Sequence, residues 1–379
     1  MNKVIVRIKS MDDTKRNFGI DLFKIIAAFM IVCLHTMTQG GIIANLKDLT
    51  VKGEIFWLLE TVFYVGVNCF AVISGYLGLN SSHKYSTLIS LWLQVVFWSV
   101  VFNAGQIAVV IIRGGVPDYL GLVKSFFPIL SQENWYFSAY FVMFFFTPVF
   151  DYLINTLNRK EIKKILLISV MLFCVIETIS HDTVFAVNGG YSWVWLSVLY
   201  LFGAYYKKYA PFENISGGKA LLGFVVCMLL TYASRLVIAL ATNIYFGEVR
   251  LATKFITYTS PFMLLGALCL LHFFKNIHLS ERLQPSVRLI TSLTFGVYII
   301  HTCNVVYRNV LRNLFIWVAE YNIVVAILMF FACALAVFSI CAILDWGRIL
   351  LFRFIKIDKL TNSVGAKIEN VFKYTHKGE

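Results

Sequence analysis

The stretch Gly19-Ile-Asp-Leu-Phe-Lys-Ile-Ile-Ala-Ala-Phe-Met-Ile-Val-Cys-Leu-His-Thr36 decides the fold. It is an apolar run long enough to begin crossing a bilayer, yet it carries Asp21, Lys24 and His35. At 100° per residue, the eleven steps from Lys24 to His35 differ from three whole turns by only about 20°, so both side chains point the same way. Along the axis they stand about 16 Å apart. An ionisable ring at that depth is costly in hydrocarbon and marks a functional site by default. The structural alternative has His35 as a hydrogen-bonded residue between packed helices and Lys24 snorkelling to the interface.

The rest of the chain extends this pattern. Of 379 residues, 59% are hydrophobic and 14% charged, against roughly a quarter charged in soluble domains. Apolar stretches recur at about 20–38, 55–78, 86–112, 136–156, 163–180, 193–206, 219–242, 258–274, 289–308 and 323–347. They predict an all-α, polytopic membrane protein of about ten spans. The expected organisation is a cytoplasmic segment at 1–19, a transmembrane domain over 20–350 and a basic cytoplasmic tail at 351–379. Little chain remains for a soluble domain. The first apolar run, interrupted by Lys24 and lacking a small-residue cleavage site, is not expected to be a cleaved signal.

Basic residues supply the orientation. With both termini cytoplasmic, the inner segments collect 23 Lys and Arg and the outer segments seven, following the positive-inside rule. The net charge of +13 is then met by anionic lipid headgroups and needs no nucleic acid. The eight cysteines all fall inside predicted spans and include no CxxC pair. They read as packing residues, with neither a metal site nor a disulfide framework expected.

Four segments embed polar or kinked elements in apolar sequence. The first is Gly19 to His35. The second, Asn68 to Leu77, contains Ser74-Gly75, which permits close helix approach. The third, Asn134-Trp135-Tyr-Phe-Ser-Ala-Tyr140 leading to Pro148, places aromatics where an outer belt is expected. The fourth is Phe295-Gly-Val-Tyr-Ile-Ile-His301. If its helix starts near residue 289, His301 lies about 18 Å deep, close to the level of His35.

Taken in order, these segments resemble the type-3 membrane acyltransferases, multi-span enzymes that O-acylate surface polysaccharides and related glycans. An Asp-x-x-Arg element followed by His is matched by Asp21, Lys24 and His35. A Phe-x-x-Ser-Gly-aromatic element is matched, with a small shift, by Phe70 to Tyr76, including Ser74 and Gly75. A Trp-x-Leu element is matched by Trp135, with Phe137 for Leu and Tyr140 where a glutamate is usual. A Gly-x-Tyr-x-x-His element is met by Gly296, Tyr298 and His301. Asp345 stands where an acid often closes the last span. The resemblance covers about residues 17–350. Lysine at position 24 keeps the charge but loses the planar fork of arginine, and Tyr140 removes a carboxylate.

The resemblance implies a multi-pass protein of the bacterial inner or plasma membrane. It also implies an acyl-coenzyme A donor, usually acetyl-coenzyme A, used as substrate with no bound cofactor. The acceptor would be a hydroxyl of a lipid-linked or exported glycan. On that reading Lys24, with Arg235 and Arg288 as further candidates, attracts the donor's phosphates, while Asp21, grouped with them at the donor end, pairs with Lys24 or with another helix's arginine. His35 serves as general base or acyl carrier, and His301 or Tyr298 stabilises the oxyanion or passes the proton. Arg235 lies mid-helix and must meet a partner, cavity or water, with Glu60, Glu177 and Asp345 as candidate partners. Two other classes stay open: a transporter or flippase of glycan precursors, which would show paired broken helices, and a non-catalytic membrane sensor.

Overall fold

The computed structural model describes residues 16–131, 133–180 and 184–374; residues 1–15 of the expected N-terminal segment and 375–379 of the expected tail lie outside them. The described chain is 77% helical and contains no strand. In order, the helices are α1 (Phe18–Met37), α2 (Val51–Tyr64), α3 (Gly66–Gly78), α4 (Tyr85–Ile112), α5 (Tyr119–Ser125), α6 (Trp135–Thr156), α7 (Arg159–Val170), α8 (Glu177–Ile179), α9 (Trp193–Tyr209), α10 (Gly217–Phe246), α11 (Pro261–Lys275), α12 (Gln284–Thr302), α13 (Ile323–Phe354) and α14 (Ile357–Tyr374).

Every predicted span coincides with helix, but not every helix is long. Among the described residues six are long and apolar enough to cross a membrane, α2 and α3 together forming one of them. The fifth predicted span is divided into α7, a π turn at Met171–Ile176 and the short α8. The eighth is the 15-residue α11. The ninth breaks after Thr302 and bends by 66° into the segment Val306–Glu320, giving seven crossings if that bent pair is one span. The sixth, α9, has 17 residues, and Trp195, Leu196, Val198, Leu199 and Tyr200 bury successive faces of it. A helix apolar all round belongs in the interior, not against lipid.

α1 is the central post. Asn17 caps its start by accepting from Ile20 N, and Phe23, Ala27, Val32 and Cys33 are fully buried against α3, α11, α12 and α13. Small residues let the inner helices touch. A Cβ on Gly75 would lie 2.0 Å from the Tyr200 carbonyl, and one on Gly203 would lie 2.1 Å from the Val72 carbonyl. α3 and α9 therefore meet backbone to backbone, as small-residue interfaces in membranes allow.

A polar cluster locks α12 to α4 and α13. A Cβ on Gly296 would fall 1.9 Å from the Asp345 carboxyl carbon. Asp345, completely buried, occupies that space and accepts from Arg348 at 2.6 and 2.9 Å, Gln94 at 3.0 Å and Trp98 at 3.1 Å. A buried carboxylate so saturated is structurally stable, because charge and lone pairs are both matched.

Candidate functional site

α1 presents its two conspicuous side chains to two different spaces. Lys24 lines a cavity of about 750 Å³ together with Ser74, Gly78, His83, Lys84, Tyr136, Phe137, Tyr140 and Phe295. Its ammonium is also 3.8 Å from Asp21, which accepts from Arg16 at 2.5 Å. His35 lines a separate chamber of about 40 Å³ with Ile31, Val67, Phe70, Trp135, Tyr136, Tyr258, Thr294, Phe295 and Tyr298. Phe70, Tyr136 and Phe295 belong to both linings, so one layer of aromatic rings divides the two spaces.

The histidines expected at matched depth are in contact. His35 Nδ1 and His301 Nε2 are 3.0 Å apart, and His301 Nδ1 is 2.6 Å from the Val297 carbonyl. A carbonyl only accepts, so His301 carries its proton on Nδ1 and donates to Val297. In the neutral ring Nε2 is then an acceptor, and His35 must donate to it from Nδ1. The consequence falls on the other nitrogen: His35 Nε2 keeps its lone pair. The pair thus presents one unprotonated imidazole nitrogen, with the tautomer set by its neighbour. Tyr307 packs edge-on against His35 with centroids 5.2 Å apart, and the Tyr298 ring stands against His301 and Tyr136.

The break after Thr302 is what delivers His301. Glu133, two residues before α6, accepts from Asn304 N at 3.0 Å and from Asn304 Nδ2 at 2.9 Å. Asn134 donates to the Thr302 hydroxyl at 2.7 Å. These contacts satisfy backbone and side-chain groups freed where the helix stops, which non-helical chain at membrane depth requires.

Several expectations are corrected. Arg235 is bonded to none of Glu60, Glu177 and Asp345, although its charge acts on the Glu60 carboxyl. Its guanidinium, fully buried, bonds Glu54 at 2.5 Å and Asp48 at 2.6 Å and lies 4.3 Å over the Trp57 ring. Asp48 and Glu54 follow the far end of α1 in the chain, so Arg235 is held away from Lys24 and is not part of the Lys24 cavity. Glu177 instead accepts from the backbone of Val184 and Phe185, and Glu60 Oε2 has no hydrogen-bond partner. Asp345 is engaged in the α4–α13 cluster, outside both cavities. Trp135 is half-buried and also lines the chamber. It packs against Tyr191 at 4.6 Å and Tyr258 at 5.9 Å and closes the chamber. Tyr140, at the position of the missing carboxylate, lines the large cavity.

Residues not singled out from the sequence also line or brace these spaces. His83, on the turn before α4, is 2.9 Å from Asp151, which also accepts from Asn80 N and the Tyr200 hydroxyl at 2.9 Å each. Asp151 was visible as an acid inside an apolar run, the signal that would have flagged it. His83 and Glu133 carry no such signal, because each lies on a short polar connection whose partners are distant in sequence.

A family model described as an acyltransferase domain, the acyltransferase 3 model, matches residues 17–346. No curated protein and no solved structure matches the chain. The matched region spans α1 through most of α13 and includes the Lys24 cavity, the His35–His301 pair and Gly296–Asp345. The chain belongs to the type-3 acyltransferase family.

Proposed function

We propose that this membrane acyltransferase moves an acyl group, acetyl in the first instance, from acyl-coenzyme A to a hydroxyl of a cell-surface or exported glycan. The observation that carries the reading is the layout along α1: a large cavity at Lys24 and, about 16 Å further along the helix, a small chamber lined by His35, whose Nε2 is the unprotonated nitrogen of the pair. With both termini cytoplasmic, the Lys24 cavity opens toward the side that holds acyl-coenzyme A. Lys24 and Lys84 would meet its phosphates as point charges, and the pantetheine arm would run past the Phe70–Tyr136–Phe295 layer with the thioester leading.

At the chamber the acceptor hydroxyl gives its proton to His35 Nε2 as its oxygen attacks the thioester carbonyl. A carbon–oxygen bond forms. The tetrahedral oxyanion collapses, the carbon–sulfur bond breaks, and the imidazolium returns the proton to the departing sulfur, leaving an ester and free coenzyme A. While His35 is cationic, its Nδ1–H bond to His301 becomes charge-assisted and so strengthens. Tyr298, in the chamber wall, would donate to the oxyanion.

The test is transfer of label from acetyl-coenzyme A to the glycan fraction of membranes with and without the protein, and with His35→Gln. Glutamine keeps size and some hydrogen bonding but carries no proton, so it should lower turnover about a hundredfold or more at normal protein abundance. A normally abundant, active His35→Gln protein would remove His35 from the chemistry. Label that does not depend on the protein would remove the acyl-transfer reading.

A further inference from the structure

We infer that Tyr191, with Trp135, Tyr258 and Tyr64, forms an acceptor subsite beside the His35 chamber, and that it takes a neutral pyranose ring and rejects one carrying a carboxylate. The inference rests on the glycan-acceptor reading above. Trp135 and Tyr258 line the chamber but not the Lys24 cavity. Tyr191 lies against both, its ring centroid 4.6 Å from that of Trp135 and 4.9 Å from that of Tyr258. Tyr64 stacks on Tyr258 at 4.5 Å, and its hydroxyl is 3.5 Å from that of Tyr191. Tyr191 is 43% exposed and Tyr258 only 3%, so the cluster runs from the surface to the chamber wall.

The connection before α9 holds the Tyr191 ring in place. Glu177, a buried acid, accepts from the backbone N–H groups of Val184, Phe185 and Gly189 at 3.1, 3.4 and 3.5 Å. Burying a carboxylate is costly, and here its oxygens fix one connection. Gly190 has φ +102°, and a Cβ there would fall 2.4 Å from Tyr258 Cβ. A larger residue would push the connection, and Tyr191 with it, away from Tyr258.

The chemistry of the cluster selects the occupant. An aromatic face carries partial negative charge and suits the polarised C–H groups on the apolar face of a pyranose. The Tyr64 and Tyr191 hydroxyls can donate to or accept from hydroxyls at the ring's edge. The sugar ring rests on Tyr191, and only its reacting hydroxyl enters the chamber. No Lys or Arg lines that chamber. Lys254, four residues before Tyr258, donates to the Ser180 carbonyl, and Arg308 is exposed and lines neither cavity. The nearby groups are acids. Glu133 lies two residues before Trp135. Glu60, one turn before Tyr64 on the same face of α2, is close enough for its charge to act on the Tyr64 hydroxyl. A carboxylate on the sugar would therefore lose water without gaining a cation.

The experiment gives detergent-purified protein labelled acetyl-coenzyme A and a titration of the glycan fraction extracted from cells lacking the protein, with thermal unfolding followed in parallel. Tyr191→Ala should raise the acceptor KM about tenfold or more, as loss of an aromatic anchor does, and leave the donor KM unchanged. Tyr191→Trp keeps a ring and should stay near the intact value. Tyr191→Leu keeps apolar packing without a ring and should behave like alanine, which keeps the test open if alanine loosens the connection. Methyl β-glucopyranoside and methyl β-galactopyranoside should compete with the glycan, and methyl β-glucuronide about tenfold or more weakly by comparison. An unchanged acceptor KM in Tyr191→Leu, donor and acceptor KM rising together, or no competition by either neutral glycoside would overturn the subsite. A glucuronide that competes as well as the glucoside would overturn the neutral-ring assignment. No label in the glycan from the intact protein would overturn the glycan-acceptor reading itself, and the subsite with it.

Discussion

Removing the His301 ring should slow turnover by an amount the hydrogen bond predicts. His301 touches His35 through one bond of 3.0 Å and is fixed from behind by the Val297 carbonyl; it lines neither cavity. Its role is therefore carried through His35: it selects the tautomer and stabilises the imidazolium formed as the hydroxyl is deprotonated. A hydrogen bond to a charged group contributes about 1.5–3 kcal/mol, and about 1.4 kcal/mol is tenfold in rate. His301→Ala should thus lower kcat about 10- to 150-fold. The donor KM should stay nearly constant, because the Lys24 cavity is untouched. His35→Ala should cost about a hundredfold or more, and the double variant little beyond that, since both act in one step. The assay is label transfer from acetyl-coenzyme A across a donor titration, with protein abundance and thermal unfolding in detergent followed in parallel. Losses that multiply in the double variant, or an unaltered kcat in a well-folded His301→Ala protein, would refute this role of His301.

Lys24→Arg should retain much of the activity, whereas Lys24→Ala should raise the apparent donor KM more than it lowers kcat, because a point charge on phosphate is a binding contact; an unchanged KM in a donor titration would favour a purely interfacial lysine. Gly296→Ala should destabilise the protein by about 1–3 kcal/mol or more, since its Cβ would overlap the Asp345 carboxylate, and the check is thermal unfolding in detergent. Reporter fusions after residue 379 and within 181–192 should report the cytoplasm and the exterior respectively, and the opposite answer at either position would reverse the proposed donor access.

The first apolar run alone was enough to place Lys24 and His35 on one helix face, because helical periodicity is local and eleven residues close to three turns. Hydropathy likewise located helix at every predicted span, since each must satisfy its backbone internally in hydrocarbon. It could not say which helices would be short. α9 is enclosed by neighbours and the ninth span is broken by contacts from Glu133 and Asn134, and neither fact is local. The matched depth of His35 and His301 was legible, but not their contact or the tautomer that follows from the Val297 carbonyl.

Partner choice separates most sharply what sequence and structure determine. Arg235 in an apolar helix was certain to need a partner, a cavity or water, and Asp48 and Glu54 answer it, from the connection before α2 and the first turn of α2, whose positions depend on how α2 packs beside α10. Gly296 and Asp345 are 49 residues apart in the chain, and only the crossing of α12 with α13 makes the hydrogen side chain of one the space for the carboxylate of the other. The sequence by itself determined which residues are costly in a membrane and on which helix face they lie. The tertiary structure decided which costs are cancelled by pairing, as at Arg235 and Asp345. It also decided which are left facing a cavity, as at Lys24 and His35, because burial and pairing depend on distances between helices that no local pattern encodes.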